Sequence, residues 1–244
     1  MGHRECFDFG ERSLPPDEIE KRDILEVGAC MDGGSMRPYV ESHGPSSYVG
    51  VDIQAGPGVD EICDAMDLLD RFGEASFDVI IANELLEHIR EWRQFLHVVK
   101  HVLRPGGMLV MTTRSIGFPF HYAPFDFWRY EEDDMRQIFR DCEVLNVESD
   151  TRKVNGKVTP GVFVAVRKPE GFSEVDLTDY ELYSIVKERR ARDVSDLDIL
   201  LCEFRSLGFG YFRKHRFVPY LMRDLLSRRV FRPLRARRAR TAPD

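Results

Sequence analysis

The sequence lacks several features that would place it in particular protein classes. Its five cysteines (Cys6, Cys30, Cys63, Cys142 and Cys202) are scattered, odd in number and form no CxxC pair. That pattern fits neither a disulfide framework nor a cysteine-rich structural zinc site. No apolar run approaches the roughly 18–20 residues needed to span a bilayer. The first residues carry no apolar core of a secretory signal, so the expected compartment is the cytoplasm. The absence of an internal repeat sets aside a repeat architecture.

What is present fits a globular chain. It has 244 residues, 43% of them hydrophobic and 32% charged, enough to bury a full core in one domain with an appendage. The net charge of −7 is unevenly spread. Residues 213–240 are rich in arginine, with Lys214 the one lysine and Asp224 the only acid. Such a tail can touch a membrane surface, an anionic glycan or RNA, or simply remain a solvated tail.

Residues 1–22 read as a polar, irregular N-terminal segment, broken by Pro15-Pro16. Ile24-Leu25-Glu26-Val27-Gly28 then reads as a buried strand opening into a glycine-bearing loop up to Ser35. A short helix is expected over 36–42, and further strands over 47–52, 59–63, 77–82 and 108–112. Between the last two, Leu85, Ile89, Trp92, Leu96, Val99 and Leu103 recur at helical spacing. The expected helix, 85–103, stops at Arg104-Pro105-Gly106-Gly107. Another helix is expected over 131–140, followed by strands over 143–148 and 161–167.

Strands alternating with helices predict an α/β architecture around a mostly parallel sheet, with helices on both faces. The expected layout is a core domain over 23–168, a helical accessory region over 169–212 and the basic tail over 213–244. Accessory helices are expected near 177–190 and 197–207. In a sheet of this kind, ligands bind at the carboxyl ends of the strands.

Chemistry is therefore sought in the loops at that edge. Gly28 and Gly33-Gly34 let backbone approach a ligand. A dinucleotide loop and a plain tight turn share this pattern. Asp52 closes the second strand, where a carboxylate suits the two hydroxyls of a ribose. Asp64-Ala65-Met66 follows the third strand, where a side chain and a backbone N–H can meet an adenine edge.

The order of motifs, ILEVGACMDGG, YVGVDI, CDAMDL, FDVIIANELLEH and VLRPGGMLVMTT, resembles the class I S-adenosylmethionine-dependent methyltransferases, of the type 11-like kind, over roughly residues 22–168. The resemblance implies a Rossmann-like, seven-stranded, mostly parallel sheet whose last strand is antiparallel. It also implies S-adenosylmethionine as cofactor. Glu26 would orient the amino group of the methionine end through the loop or water, with Gly28 passing beneath. Asp52 would hold the ribose, Asp64 and Ala65 would read adenine, and Asn83 would lie near the transferring methyl. Ala29, Ile53, Met66 and Glu84 complete the implied cofactor set. The loop departs from Glu-x-Gly-x-Gly-x-Gly, because Cys30 and Asp32 stand where glycines are usual. The element Ser35-Met36-Arg37-Pro38 looks similar to methyltransferases of polysaccharide and natural-product assembly.

On the acceptor side, a hydroxyl needs a base or a metal to remove its proton. His88 follows Glu84 and Glu87 at i, i+3, i+4 spacing, which on a helix gathers the three on one side. A Glu-x-x-Glu-His run binds a divalent metal in ubiquinone-type and small-RNA 2′-hydroxyl methyltransferases, and two carboxylates with an imidazole suit Mg²⁺. The other reading is an electrostatically favourable helix start without metal. His121, the preferred base with His88 as the alternative, lies in the aromatic-rich run GFPFHYAPFDFWRY. Its neighbours Tyr122, Asp126, Trp128 and Arg129 are candidate substrate contacts, and the aromatics read either as a lid or as faces for a sugar or flat ring. The segment His121 to Arg129 looks like one common in glycan-associated methyltransferases.

The leading expectation is O-methylation of a sugar hydroxyl on a glycan or glycosylated metabolite. The alternatives are an RNA 2′-hydroxyl or tRNA methyltransferase using the basic tail, and a non-catalytic scaffold with this fold. The acceptor is expected to be a small molecule or glycan. The oligomeric state is left open, a homodimer included.

Overall fold

The computed structural model describes residues 4–30, 35–121, 125–150, 153–154 and 157–206. In chain order the elements are α1 (Arg4–Ser13), β1 (Asp23–Val27), α2 (Arg37–Ser42), β2 (Ser47–Asp52), β3 (Glu61–Ile62), α3 (Leu68–Phe72) and β4 (Phe77–Asn83). These are followed by α4 (Trp92–Val102), β5 (Leu103–Arg114), β6 (Trp128–Arg129), α5 (Glu132–Ile138), β7 (Glu143–Asp150), β8 (Lys153–Val154) and β9 (Lys157–Val158). The described chain ends with β10 (Gly161–Arg167), β11 (Leu182–Ser184), β12 (Arg189–Ala191) and α6 (Asp196–Ser206).

Seven strands form the main sheet in the order β3-β2-β1-β4-β5-β10-β7. The first five in that order pair in parallel, and β10 runs antiparallel to both of its neighbours. This is the expected mostly parallel sheet with an antiparallel last strand.

Successive side chains leave a strand on opposite faces, and the sequence uses that alternation to build two cores. Leu25, Ile80, Ala82, Leu109, Met111, Val162 and Val164 join one cluster with Trp92, Leu96 and Val99 of α4 and Met135 of α5. Ile24, Val79, Ile81, Val110, Phe163 and Ala165 join the other with Phe9 of α1 and Val40 of α2. The sheet is thus buried on both faces, which is why its strands read as near-continuous apolar runs.

Three expectations change. The N-terminal segment is not irregular: α1 buries Cys6, Phe9 and Gly10, and Phe9 meets Phe163 with ring centroids 5.3 Å apart. Only one narrow stripe of an otherwise polar decapeptide is buried, too little periodicity to stand out in the sequence.

The long helix is also divided. Leu86–His88 form one 3-10 turn, Ile89 is extended, and the α-helix starts at Trp92. Finally, residues 177–190 form no helix. Leu182, Ser184 and Val186 are fully buried at alternate positions, so β11 pairs with β12 and with β6. The expected helix near 197–207 is present as α6. The basic tail 213–244 lies outside the described residues.

Candidate active site

The parallel strands deliver their last residues to one edge. Glu26 pairs in register with Gly50 and Ile81, Asp52 with Ile62, and Asn83 with Thr112. Gly28 leaves β1 with φ +79°, and an added Cβ would press on Leu85 at 3.3 Å. Its N–H and that of Ala29 both donate to the Val51 carbonyl, at 2.9 and 3.0 Å, which turns the loop across the end of β2. Gly50 lies so close to the backbone of Gly58 that a Cβ would sit 2.2 Å from its carbonyl oxygen.

The carboxylates at this edge have distinct surroundings. Glu26 is only 4% exposed, and its Oε2 accepts from the Ser35 hydroxyl at 2.8 Å and from the Tyr48 hydroxyl. Burial raises its pKa against those bonds. Glu26 thereby ties the far end of the glycine loop to β1 and β2.

Asp52 is half-buried and accepts one bond on each oxygen, from Cys30 N–H at 3.2 Å and Gln54 N–H at 2.9 Å. A carboxylate has about four acceptor positions, so capacity remains for two further donors. Ile53 beside it is 53% exposed. Asp64 accepts the Met66 N–H at 3.0 Å, so that N–H is already engaged by the carboxylate next to it. Ala65 is buried and Met66 half-buried. Asn83 Oδ1 accepts from Thr112 Oγ1 at 3.3 Å, whereas Asn83 Nδ2 is a buried donor without a partner among the described residues.

The structure divides the Glu84, Glu87, His88 trio. Glu84 has φ +52°, a left-handed conformation costing roughly 1–2 kcal/mol outside glycine. That conformation sends its carboxylate to the Arg114 guanidinium and the Cys6 thiol. Burial and the charge of Glu87 push it up to about 8, against the opposing pull of Arg114. The shared helical side expected for the three residues does not exist, because no α-helix runs through them.

In place of Glu84, the fold brings His121 to the other two. The ligand atoms of Glu87, His88 and His121 all lie within 4.8 Å of one another, and the two imidazole centroids are 4.8 Å apart. Glu87 is fully buried. Its Oε2 accepts from Thr113 Oγ1 at 2.8 Å, while Oε1 has no hydrogen-bond partner among the described residues and lies 3.8 Å from His88 Nε2. His88 Nδ1 lies 2.6 Å from the Phe125 carbonyl. A carbonyl only accepts, so Nδ1 carries the proton and Nε2 the lone pair. Burial lowers the His88 pKa and favours this neutral form.

His121 Nδ1 lies 2.9 Å from Asp126 Oδ2, which also accepts the His121 backbone N–H at 3.0 Å. Burial alone would raise the Asp126 carboxyl, but Arg129 and His121 outweigh it and hold it below the usual range. An ionised carboxylate on Nδ1 leaves Nε2 of the neutral ring as a free acceptor. The His121 side chain is 33% exposed against 7% for His88, so His121 is the one an outside molecule can reach.

Three candidate substrate contacts take other places. Asp126, Trp128 and Arg129 are fully buried. Arg129 grips both Asp126 oxygens and donates to the carbonyls of Phe118, Pro119 and Trp128. The Trp128 indole donates to the Arg90 carbonyl at 3.0 Å. Their polar groups are taken up by these protein partners and present none to an open cleft. Of the aromatic run, Phe125, Phe127, Trp128 and Tyr130 belong to the core, whereas Phe118 and Phe120 stay partly open. Tyr122 and Asp32 lie outside the described residues.

Sequence reasoning missed Asp126 as the partner of His121, Thr113 as the partner of Glu87, and Arg114 as the partner of Glu84. The adjacent His121 and Asp126 in one short loop were the available signal for the first.

A seven-stranded sheet in this order, with its late strand antiparallel and carboxylates at the ends of successive parallel strands, is the Rossmann-like fold of the class I methyltransferases. The chain belongs to the methyltransferase domain family, which it matches over residues 2–145. It is similar to phthiotriol/phenolphthiotriol dimycocerosates methyltransferase 1 of Mycobacterium ulcerans, 32% identical over 122 residues, covering 45% of this chain and 44% of that protein. The match thus spans less than half the length of that relative.

Among solved structures, it resembles 1,6-didemethyltoxoflavin-N1-methyltransferase of Burkholderia thailandensis, with TM-score 0.54 and 18% identity, over 68% of this chain and 77% of that one. It also resembles the [4+2]-cyclase SpnF, with TM-score 0.53 and 16% identity, over 68% of this chain and 81% of that one. Identities this low establish the fold alone, and one fold hosts different chemistries.

Proposed function

We propose that this chain transfers a methyl group from S-adenosylmethionine to a hydroxyl of a small-molecule acceptor, with His121 as general base. The carrying observation is the His121–Asp126 pair, with a partly exposed imidazole whose Nδ1 is fixed by a buried, ionised carboxylate.

The edge residues fit the cofactor. Asp52 retains acceptor capacity for the two ribose hydroxyls, and Ile53 offers an apolar surface beside it. The orphaned Asn83 Nδ2 offers a donor to the methionine end. Gly28 lets the loop backbone come close, Glu26 acts through Ser35, and Asp64 and Ala65 flank the adenine edge. When bound, the cofactor supplies a sulfonium methyl carbon whose C–S bond breaks as the new C–O bond forms. His121 Nε2 takes the hydroxyl proton as the oxygen attacks, and Asp126 stabilises the resulting imidazolium. A base placed in this way contributes about 10²–10⁴-fold.

A sugar acceptor remains the finer reading. It draws on the partly open Phe118 and Phe120, since the other aromatics are buried. The relatives' names point instead to lipid and heteroaromatic acceptors. The test is S-adenosylhomocysteine release from wild-type protein against sugar, long-chain alcohol, phenolic, RNA and ring-nitrogen heteroaromatic acceptors. Turnover with a hydroxyl acceptor supports the reading, and turnover confined to nitrogen acceptors overturns it.

A second reading is favoured by the orphaned Glu87 Oε1. Glu87, His88 and His121 would hold a divalent ion that lowers the acceptor hydroxyl's pKa. Both imidazoles already donate Nδ1–H to an oxygen, the usual arrangement of metal-binding histidines. Two imidazoles and one carboxylate suit Zn²⁺, Mn²⁺ or Fe²⁺ better than the Mg²⁺ expected for a Glu84, Glu87, His88 set. Activity lost to EDTA and restored by one of these ions supports it, and activity indifferent to chelation excludes it.

A further inference from the structure

We propose that His97, His101 and Glu174 form a surface binding site for one divalent transition-metal ion of the Zn²⁺ class, clasping α4 to the segment that leads into the β11–β12 hairpin.

Arg93, His97 and His101 are spaced four residues apart and share one row of α4. The whole row meets the chain between residues 172 and 180. Arg93 donates to the Leu177 carbonyl at 2.7 Å and to the Tyr180 carbonyl. His97 Nδ1 and His101 Nε2 lie 2.7 and 3.1 Å from the same oxygen, Glu174 Oε2. The two imidazole centroids are 4.3 Å apart, and the Phe172 ring edges onto His101 at 5.9 Å. The donor atoms of the three side chains fall within 4.8 Å of one another.

Two imidazoles at i, i+4 on a helix with a carboxylate from elsewhere are a donor set that zinc accepts, with a fourth position for water. The cluster is separate from Glu87, His88 and His121, and methyl transfer makes no use of it.

The backbone holds this geometry from both sides. Beside Glu174, the Val175 N–H donates to Asp141 at 3.0 Å, and the buried Lys100 of α4 pairs with the same carboxylate at 2.7 Å. Lys168 Nζ donates to the carbonyls of Lys100 and Leu103 at 2.8 Å each. The ligands therefore come from two elements already sewn together, so little ordering remains to oppose the ion. His101 also lies in the last turn of α4, where the helix dipole favours positive charge. A bound ion would fix the approach to β11, which pairs with the Trp128–Arg129 strand behind Asp126.

The test is equilibrium dialysis of the full chain against Zn²⁺, with thermal unfolding in parallel. Wild type and His121→Ala should each bind an ion that the double variant His97→Ala, His101→Ala does not. Losing a ligand should weaken binding at least as much as losing a supporting partner, about a hundredfold. At free Zn²⁺ a hundredfold above Kd, the midpoint should rise by about 5–10 °C in wild type, and not in the double variant. Glu174→Gln, isosteric and on the surface, is the second variant and should show the same loss should the double variant be poorly folded. Zn²⁺ binding and midpoint shifts unchanged in Glu174→Gln would overturn the site, as would no binding by wild type up to 100-micromolar-scale Zn²⁺, about 10⁻⁴ M.

Discussion

At the carboxyl ends of β2 and β3, side chains bond to backbone close by in the sequence: Asp52 to Gln54 and Asp64 to Met66, each two residues away. Around the two histidines the reach is far longer. Thr113 meets Glu87 across 26 residues, Phe125 meets His88 across 37, and Arg90 meets Trp128 across 38. The first region is a row of strand ends, each closed by nearby backbone and left partly open, with Asp52 also reaching Cys30 of the glycine loop. The second is a buried polar network in which one partly exposed imidazole stands on several closed layers. Cofactor recognition can therefore rest largely on repeated local geometry, whereas the acceptor base, itself fixed by nearby Asp126, meets Glu87 and His88, which distant contacts hold in place.

The largest expected effect separates the two regions by function. His121→Ala should lower turnover by about 10²–10⁴-fold, while calorimetric binding of S-adenosylmethionine stays near wild type. A parallel loss of cofactor affinity would show that the regions are not independent.

Next, Arg129→Met removes the partner of a buried carboxylate. It should cost about 3–5 kcal/mol in urea unfolding. A cost below about 1 kcal/mol would mean that Asp126 is reached by water and is not closed in as described.

Asp52→Ala tests the open side. It should weaken cofactor binding by about 2 kcal/mol, some thirtyfold, with little change in the unfolding midpoint. Destabilisation without weakened binding would move Asp52 from recognition to loop anchoring through Cys30.

The smallest effect is a pH slope. Burial holds His88 below its ordinary 6.5, so the unfolded chain takes up a proton that the folded one refuses. The stability tied to neutral His88 is fully present above that value and is lost as pH falls below it, with a slope of at most about 1.4 kcal/mol per pH unit. His88→Asn, which keeps a donor for Phe125, should flatten that slope. An unchanged slope would assign it to another group.

The strands were readable because their residues alternate between two apolar cores: Val79 and Ile81 face one, Ile80 and Ala82 the other. Their ends were readable for the same reason, since a polar residue closing an apolar run marks the edge. Hence Asp52, Asp64 and Asn83 could be placed without coordinates. The hairpin over 182–191 was legible in principle, because Leu182, Ser184 and Val186 alternate, but the charged residues around it masked the period. α1 was not legible, since one buried stripe in a polar decapeptide carries little signal.

The sequence by itself determined the order of the strands along the chain, the two-faced core and the carboxylates at the sheet edge, because these follow from short-range periodicity. Only the tertiary structure decided which acceptor-side residues meet. A left-handed Glu84 and an extended Ile89 break the helical spacing, sending Glu84 to Arg114 and leaving Glu87 and His88 to His121. The placement of Trp128 and Arg129 was settled the same way, by a strand pairing with β11 more than fifty residues on and by the Arg90 carbonyl that receives the indole. Periodicity reports which face a residue takes; it carries no record of the distant partner that occupies that face.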